Sequence, residues 1–464
     1  MATDVSAAEH SATGAGGARP RIALVDWTHL VEDFLDPLGV SLDAFCNEMT
    51  GGWMFGYVAA LAAVGVETTL LCYSRDVASP TVRVHRPTGA RIRVLPAPAA
   101  YRATRRVILD PYAPTLVTAR PPTGMRRTWY RALHAAAPYL ATPLRATARA
   151  LREDRCLAIL CQEHEHARFD QMVALGGLLG RPVYSTFQGG DTPFDALQRR
   201  VRGHTMRRCA GVIAGSAAER ARVQATYGLP PSRLHAIFNP VDLTLWPARD
   251  KRESRRAIGL GDEGRVVAWH GRVDWHRKGL DVLVEAWRRI VARDPTGRDV
   301  LLLLGNGVDV ARLREAVAAL PAGRVHWIDR YVNDRSLIGH CLAAADAYAF
   351  TSRHEGLPVA PLEAMACGVP VVACRAPGIE DILGAPRATD QGGMLVEPGD
   401  PPALATALVE LLRDDPRRER MALRARERIE RAFALPVVGA QLAQALLGAT
   451  PAPIGRANAS GAAS

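Results

Sequence analysis

An α/β fold of two doubly wound parallel-sheet domains facing across a cleft is what this sequence predicts, on three observations. Short β-branched or aliphatic runs alternate with longer amphipathic segments along most of the 464 residues, the pattern of right-handed βαβ units. The alternation pauses at NPVDLTLWPARDKRES (239–254), a run of Pro, Asp and charge that reads as a linker, and then begins again. Each half has the length and apolar content to bury its own core. Ligands of such sheets bind beyond the carboxyl ends of the strands, so two facing sheets make an interdomain cleft.

Residues 1–19, rich in Ala, Gly and Ser, are expected to form a disordered leader, with no basic segment followed by an apolar one to suggest a signal peptide. The first domain, 20–242, takes strands at 21–27, 67–73, 157–162, 182–187, 211–215 and 234–238. Helices are expected at Met54 to Val64 and Asp170 to Leu179, and Ser216 with Glu219 fits a capping box directly after a strand. The second domain, 243–433, takes strands at 265–271, 299–305, 324–328, 347–352, 370–374 and 393–396, with a helix from about Gly279 to Val291. A helix over 434–448 is expected to pack back on the first domain, and 449–464 reads as a disordered tail.

Charge is unevenly placed. The formal net charge is +11, and between Tyr101 and Arg152 ten arginines meet one acid, Asp110, which gives +9 for that segment alone. It reads as a basic insertion, 101–152, suited to an anionic acceptor or the inner face of a membrane. No nucleic-acid recognition motif accompanies it, so no nucleic-acid partner is expected. The most apolar long run, Trp53 to Val66, is too short to span a bilayer, which needs about 20 residues. Eight cysteines without a C-x-x-C pair read as reduced core residues of a cytoplasmic protein.

The chemistry concentrates in the second half. Of 58 Lys plus Arg, only Lys251 and Lys278 are lysine. Lys278 stands in HGRVDWHRKGLDV, where Gly271-Arg272 and Lys278-Gly279 join a strand to a helix. Two cations with a glycine beside each suit a diphosphate: the glycines admit close backbone approach and the cations neutralise charge. In SRHEGLPVAPLEAMACGVP, seven residues separate Glu355, on a loop at a strand's carboxyl end, from Glu363 in a helix. Free N–H groups near Val359 and Ala360, at that helix start, suit a phosphate. LGNGVD (304–309) is a glycine turn after a strand that suits a planar base. Together these describe a nucleotide diphosphate pocket with an additional carboxylate.

In this order, G-R…K-G, the two glutamates, E-A-M-A-x-G-x-P-V-V, A-P-G (376–378) and G-G-M-L-V-E-P-G-D (392–400) resemble glycosyltransferase family 4. The resemblance is close from about Gly211 to Asp400 and looser before. It implies the GT-B fold, with a first domain for the acceptor and a second for the donor, and a retaining transfer of a hexosyl group from a UDP- or GDP-sugar. The acceptor is left open among glycans, lipids and small molecules. Arg272 and Lys278 would hold the diphosphate and stabilise it as a leaving group. Glu355 would contact the donor sugar beside the backbone of Gly356 and Leu357, and Glu363 would bind the ribose hydroxyls. Gly271, Gly305, Gly307 and Val359 complete the donor side, and Gly51-Gly52 resembles the loop that reaches the phosphates from the first domain. Pro358 stands where many members have glycine, removing one backbone donor.

On the acceptor side, Glu163 and His164 follow a strand, and Gln188 and Asp191 lie where many members carry a histidine and then glycine; a glutamine cannot act as a base there. No metal or cofactor is expected beyond the nucleotide sugar itself. A glycan phosphorylase of this fold needs a lysine for pyridoxal phosphate, which neither lysine suits. A nucleotide-sugar epimerase or hydrolase, or a basic nucleic-acid-binding protein, are the alternatives.

Overall fold

The computed structural model describes residues 19–448 apart from 27, 51, 113–115, 119–122, 188–195, 333 and 385–390. The expectations for 1–18, Gly51, Gln188, Asp191 and 449–464 lie outside the described residues. The first sheet holds β1 (Arg21–Val25), β2 (Glu67–Ser74), β3 (Thr81–Val84), β4 (Arg91–Pro96), β5 (Ala158–Cys161), β6 (Val183–Thr186), β7 (Gly211–Ile213) and β8 (Leu234–His235). Their order is β3-β4-β2-β1-β5-β6-β7-β8, parallel except for the edge strand β3. The second sheet holds β9 (Val266–His270), β10 (Val300–Leu304), β11 (Val325–Ile328), β12 (Ala347–Phe350), β13 (Val371–Cys374) and β14 (Gly393–Val396). All of these are parallel, ordered β11-β10-β9-β12-β13-β14. Read by rank this is 3-2-1-4-5-6, so the chain changes direction of growth between β9 and β12 and opens a crevice there.

Central strands such as AILC of β5 and AYAF of β12 are buried at every residue. Helices cover both faces, and continuous apolar runs are what such burial requires. The two strands absent from the sequence reading, β3 and β4, alternate instead: TVRV and RIRVLP carry arginine at every second position in part. Arg91 and Arg93 both pair with the buried carboxylate of Asp154, which lets charge sit on the sheet surface.

The two domains meet at the carboxyl ends of their sheets. A Cβ added to Gly215, just past β7, would lie 3.0 Å from the Leu357 side chain, on the loop past β12. The expected capping box at 216–219 does not form. Ser216 holds the N-cap position without accepting, Glu219 pairs with Arg222, and the Ala217 N–H donates to Asp381 Oδ2 of the second domain at 3.1 Å.

The linker reading covers too much. Asp250 caps a helix Lys251–Ala257 that belongs to the second domain. Lys251 Nζ and Arg255 Nη2 each reach the buried Asp346 carboxylate at 2.8 Å. Before it, the chain pairs with its own return crossing: Val241 N–H donates to the Phe433 carbonyl at 2.7 Å, and Val241 and Ala434 form a parallel bridge. The basic segment is also more regular than an insertion. It contains helices Ala99–Arg105, Gly124–Leu140 and Leu144–Glu153, the last packing through Thr147, Ala148, Ala150 and Leu151 ahead of β5.

The last helix, Leu435–Leu447, packs its Val438, Leu442, Ala443 and Leu446 into the first domain's core. Contact with the helix Gly52–Ala63 is so close that a Cβ on Gly439 would fall 2.0 Å from the Ala60 carbonyl oxygen. Gly439→Val should therefore lower stability by about 1–3 kcal/mol through overpacking against backbone, read as a fall in the unfolding midpoint. An unchanged midpoint would contradict this packing.

Candidate active site

The crevice between β9 and β12 is built by two loops that hold each other. The loop leaving β9 runs from Gly271 to Gly279, where the helix Leu280–Arg293 begins. Gly279 has φ +63°, and a Cβ there would sit 2.0 Å from the Thr351 carbonyl oxygen, so only glycine fits. Around this contact Thr351 Oγ1 donates to the Lys278 carbonyl at 2.8 Å and the Arg353 N–H to the Arg277 carbonyl at 2.9 Å. Arg353 also grips Asp281 with both guanidinium nitrogens at 2.7 Å. Main-chain fit thus sets Lys278 beside Glu355, and their side chains form an ion pair. Arg272 is the open member of the set: its side chain is exposed, with Asp274 3.8 Å away as its nearest acid.

Glu363 lies on the helix Ala360–Ala366 behind this pair and is 9% exposed. His270 Nε2 stands 2.8 Å from its Oε2, and Arg335 donates to Oε1 at 2.9 Å. Tyr348 fixes the histidine backbone, accepting from the His270 N–H at 3.4 Å and donating to its carbonyl at 3.2 Å. The sequence reading missed His270 and Arg335. His270 had a signal, because it is the last residue of a strand and directly precedes Gly271-Arg272; Arg335, a helix-start residue distant in sequence, had none.

The glycines of 304–309 serve the packing of the two loops. A Cβ on Gly305 would lie 1.9 Å from the Gly271 carbonyl oxygen, and one on Gly307 2.2 Å from that of Val273. They let the two loops pack, bridged by the Val273 N–H to the Asn306 carbonyl at 3.0 Å. On the loop past β12, the backbone N–H groups of Gly356 and Leu357 donate to no protein acceptor among the described residues. The Leu357 side chain is buried and Val359 is 42% exposed. A cavity of about 300 Å³ joins the halves, lined by Phe55 and Gly56 of the first domain, Trp246 of the crossing, and Arg335, Val359 and Glu363 of the second. Gly52, the described half of the glycine pair, opens the helix that carries Phe55 and Gly56. A larger hollow of about 670 Å³ by Arg375 and Asp381 touches none of Arg272, Lys278, Glu355 and Glu363.

On the first domain, Glu163 follows β5 at that sheet's own change of direction, between β1 and β5. Its φ is +66°, left-handed for a residue with a side chain, a conformation that costs about 1 kcal/mol and clusters at functional sites. Its carboxylate stays partly exposed, 3.7 Å from His166 Nε2. His164 turns the other way. It is 1% exposed, packed against Phe169, Phe187 and Tyr227, and its Nδ1 has no partner. This imidazole is a core group, which corrects the expectation that it handles protons or acceptor in the cleft. Beside it, the buried Arg168 closes the loop after β1, pairing with Asp26 and donating to the Thr28 and His29 carbonyls, the latter at 2.8 Å.

Known proteins bear on these arrangements. Residues 264–414 match a family model described as glycosyl transferases group 1, and residues 55–245 match glycosyltransferase family 4. The chain is 29% identical over 242 residues to a D-inositol 3-phosphate glycosyltransferase of Rhodococcus opacus, covering 51% of this chain and 53% of that one. It is 32% identical over 235 residues to a GDP-mannose-dependent monoacylated phosphatidylinositol monomannoside mannosyltransferase of Corynebacterium glutamicum, covering 48% and 58%. The chain thus spans about half the length of the curated relatives it matches. Among solved structures it resembles a glycosyltransferase of Rickettsia africae, with a TM-score of 0.63, 12% identity and coverage of 93% of this chain and 100% of that one. It also resembles HepE of Anabaena in complex with UDP, with 0.61, 17%, 92% and 100%. These likenesses establish the GT-B fold.

The buried His164 makes a testable statement about pH. Burial, then the positive charges of Arg202 and Arg222, hold its pKa well below the ordinary 6.5. The folded protein keeps it neutral while the unfolded chain protonates it below pH 6.5. Its stabilising share is present above that value and is lost as pH falls, at up to about 1.4 kcal/mol per pH unit. In His164→Leu the slope of unfolding free energy just below pH 6.5 should shrink by about one proton's worth. An unaltered slope in denaturant titrations would contradict a neutral core histidine.

Proposed function

The chain belongs to glycosyltransferase family 4, and from that premise we propose that it transfers a hexosyl group from a UDP- or GDP-sugar to a glycan, lipid or small-molecule acceptor, with retention at the sugar carbon. The observation that carries this reading is the pairing of Lys278 with Glu355 at the crevice of the second sheet, with the exposed Arg272 on the same loop as Lys278. The two bases have separate support: UDP is named in the complex of the Anabaena neighbour, and GDP-mannose in the name of the Corynebacterium relative.

Arg272 and Lys278 neutralise the diphosphate as the bond from sugar carbon to phosphate oxygen breaks, which makes a bound metal unnecessary. Free N–H groups at Gly356 and Leu357 supply further donors on the same loop. Lys278 is held by Glu355; on binding, the diphosphate takes the lysine and a sugar hydroxyl takes the glutamate. Glu363, already oriented by His270 and Arg335, receives the ribose hydroxyls, while the loop 304–309 admits the base. With no carboxylate assigned as a nucleophile among the described residues, the acceptor oxygen attacks the face the diphosphate leaves. The departing phosphate oxygen takes the acceptor proton, and the protein contributes orientation and charge. Glu163, held in a strained backbone, is the acceptor-side carboxylate of this scheme. The eight free cysteines, seven of them buried, suit a reducing cytoplasm.

A panel of nucleotide diphosphate sugars in thermal-shift measurements identifies the donor, because stabilisation follows affinity. Glu355→Ala should abolish transfer, and full activity in that variant would sink the assignment. Lys278→Ala should weaken donor binding roughly 10- to 100-fold, the loss of one charge-assisted contact. Donor turnover that is identical with and without every acceptor tried would favour an epimerase or hydrolase.

A further inference from the structure

The helix Gly124–Leu140 presents a surface that the transfer reading does not use. Its second half is anchored: Ala137 and Pro138 are buried, Tyr139 OH donates to Asp170 Oδ2 at 2.9 Å, and Gln171 Nε2 donates to the Tyr139 carbonyl at 2.7 Å. Its first two turns project instead, with every residue from Met125 to Trp129 exposed. Met125 is 91% exposed and Trp129 58%. They are one turn apart and so share a face, while Arg126, Arg127 and Arg131, all exposed, occupy the rest of those turns.

Two features separate this helix from an ordinary solvated one. Of the nine described arginines in 101–152, Arg105 alone has an ion-pair partner, Asp33. The same segment carries Leu109, Tyr112, Val117, Met125, Trp129 and Leu144, six of the fourteen large hydrophobic residues most exposed among the described residues. A nucleic-acid stripe needs the charge but gains nothing from a projecting methionine and leucine. A solvated face needs neither. Unpaired arginine beside exposed apolar and tryptophan side chains matches the boundary of an anionic bilayer, where the apolar groups enter the headgroup level and guanidinium groups meet lipid phosphate.

We propose that the projecting turns of the helix Gly124–Leu140 dock the protein on an anionic lipid surface, with Met125 and Trp129 inserted and Arg126, Arg127 and Arg131 on the headgroups. The docking helix rests on the helix Ala167–Leu179, which follows Glu163 directly. Docking therefore runs through the first domain, which carries Glu163. It does not depend on the donor assignment, because nucleotide binding is carried by the other domain.

Co-sedimentation of the full chain with phosphatidylcholine vesicles, with and without phosphatidylglycerol, tests it. Binding should require phosphatidylglycerol and weaken with salt. Reversing the three arginines (R126E, R127E, R131E) should lower partitioning roughly a hundredfold or more, at about fivefold per charge lost. M125A with W129A should lower it roughly tenfold or more through lost apolar insertion. Both variants alter exposed residues, so their unfolding midpoints and their thermal shifts with UDP or GDP should match the unaltered chain. Equal binding to neutral vesicles, no binding to either, unchanged binding by both variants, or tighter retention on an oligonucleotide than on vesicles would each overturn the proposal.

Discussion

The placement of Lys278 beside Glu355 depends on one backbone contact, the seat of Gly279 against the Thr351 carbonyl. It joins the loop after β9 to the loop after β12 at the place where the sheet's order reverses. The contact tolerates no side chain, and it is reinforced on both flanks by Thr351 and Arg353. Because it is made of main chain, it positions Lys278 and Glu355 without spending either side chain on the task. A side-chain clamp would have left fewer groups free for a ligand.

The charged side chains of the crevice are paired with one another. Lys278 and Glu355 satisfy each other, and Glu363 is satisfied by His270 and Arg335. Half-buried charges left single would be costly, and these pairs satisfy them within the protein. Arg272 stands apart, open to solvent. Residues paired this closely are energetically coupled, so single-residue losses at this site will not add.

Much of this was legible in the sequence. The central strands of the second domain, β10, β12 and β13, are unbroken apolar runs, so their burial on both faces is written in composition. Motif order singled out Lys278 and Glu355 as site residues, and the ion pair between them is added by the structure. What stayed hidden depended on distance in space. Arg335 reaches Glu363 from a helix 28 positions upstream, which no periodicity reports. His164 alternates with acids in QEHEH as a metal or proton site does, yet the left-handed turn at Glu163 sends its ring inward. A backbone reversal of that kind leaves no mark in residue type when the residue is not glycine. The strands β3 and β4 were obscured by arginines whose partner, Asp154, lies some sixty positions away.

The bridge between Val241 and Ala434 has a mechanical meaning. The chain passes between the domains twice, and the two passages lie side by side, hydrogen-bonded at Val241 and stacked through Phe238 and Phe433 at 4.5 Å. A single strand would act as a swivel and permit twist about its own length. Two fastened strands act as a strap, stiff to twisting and to sliding, that bends about the line joining them. Any relative movement of the domains is thereby confined to bending along one path, which would keep Glu363 and Phe55 in register across the cavity they line.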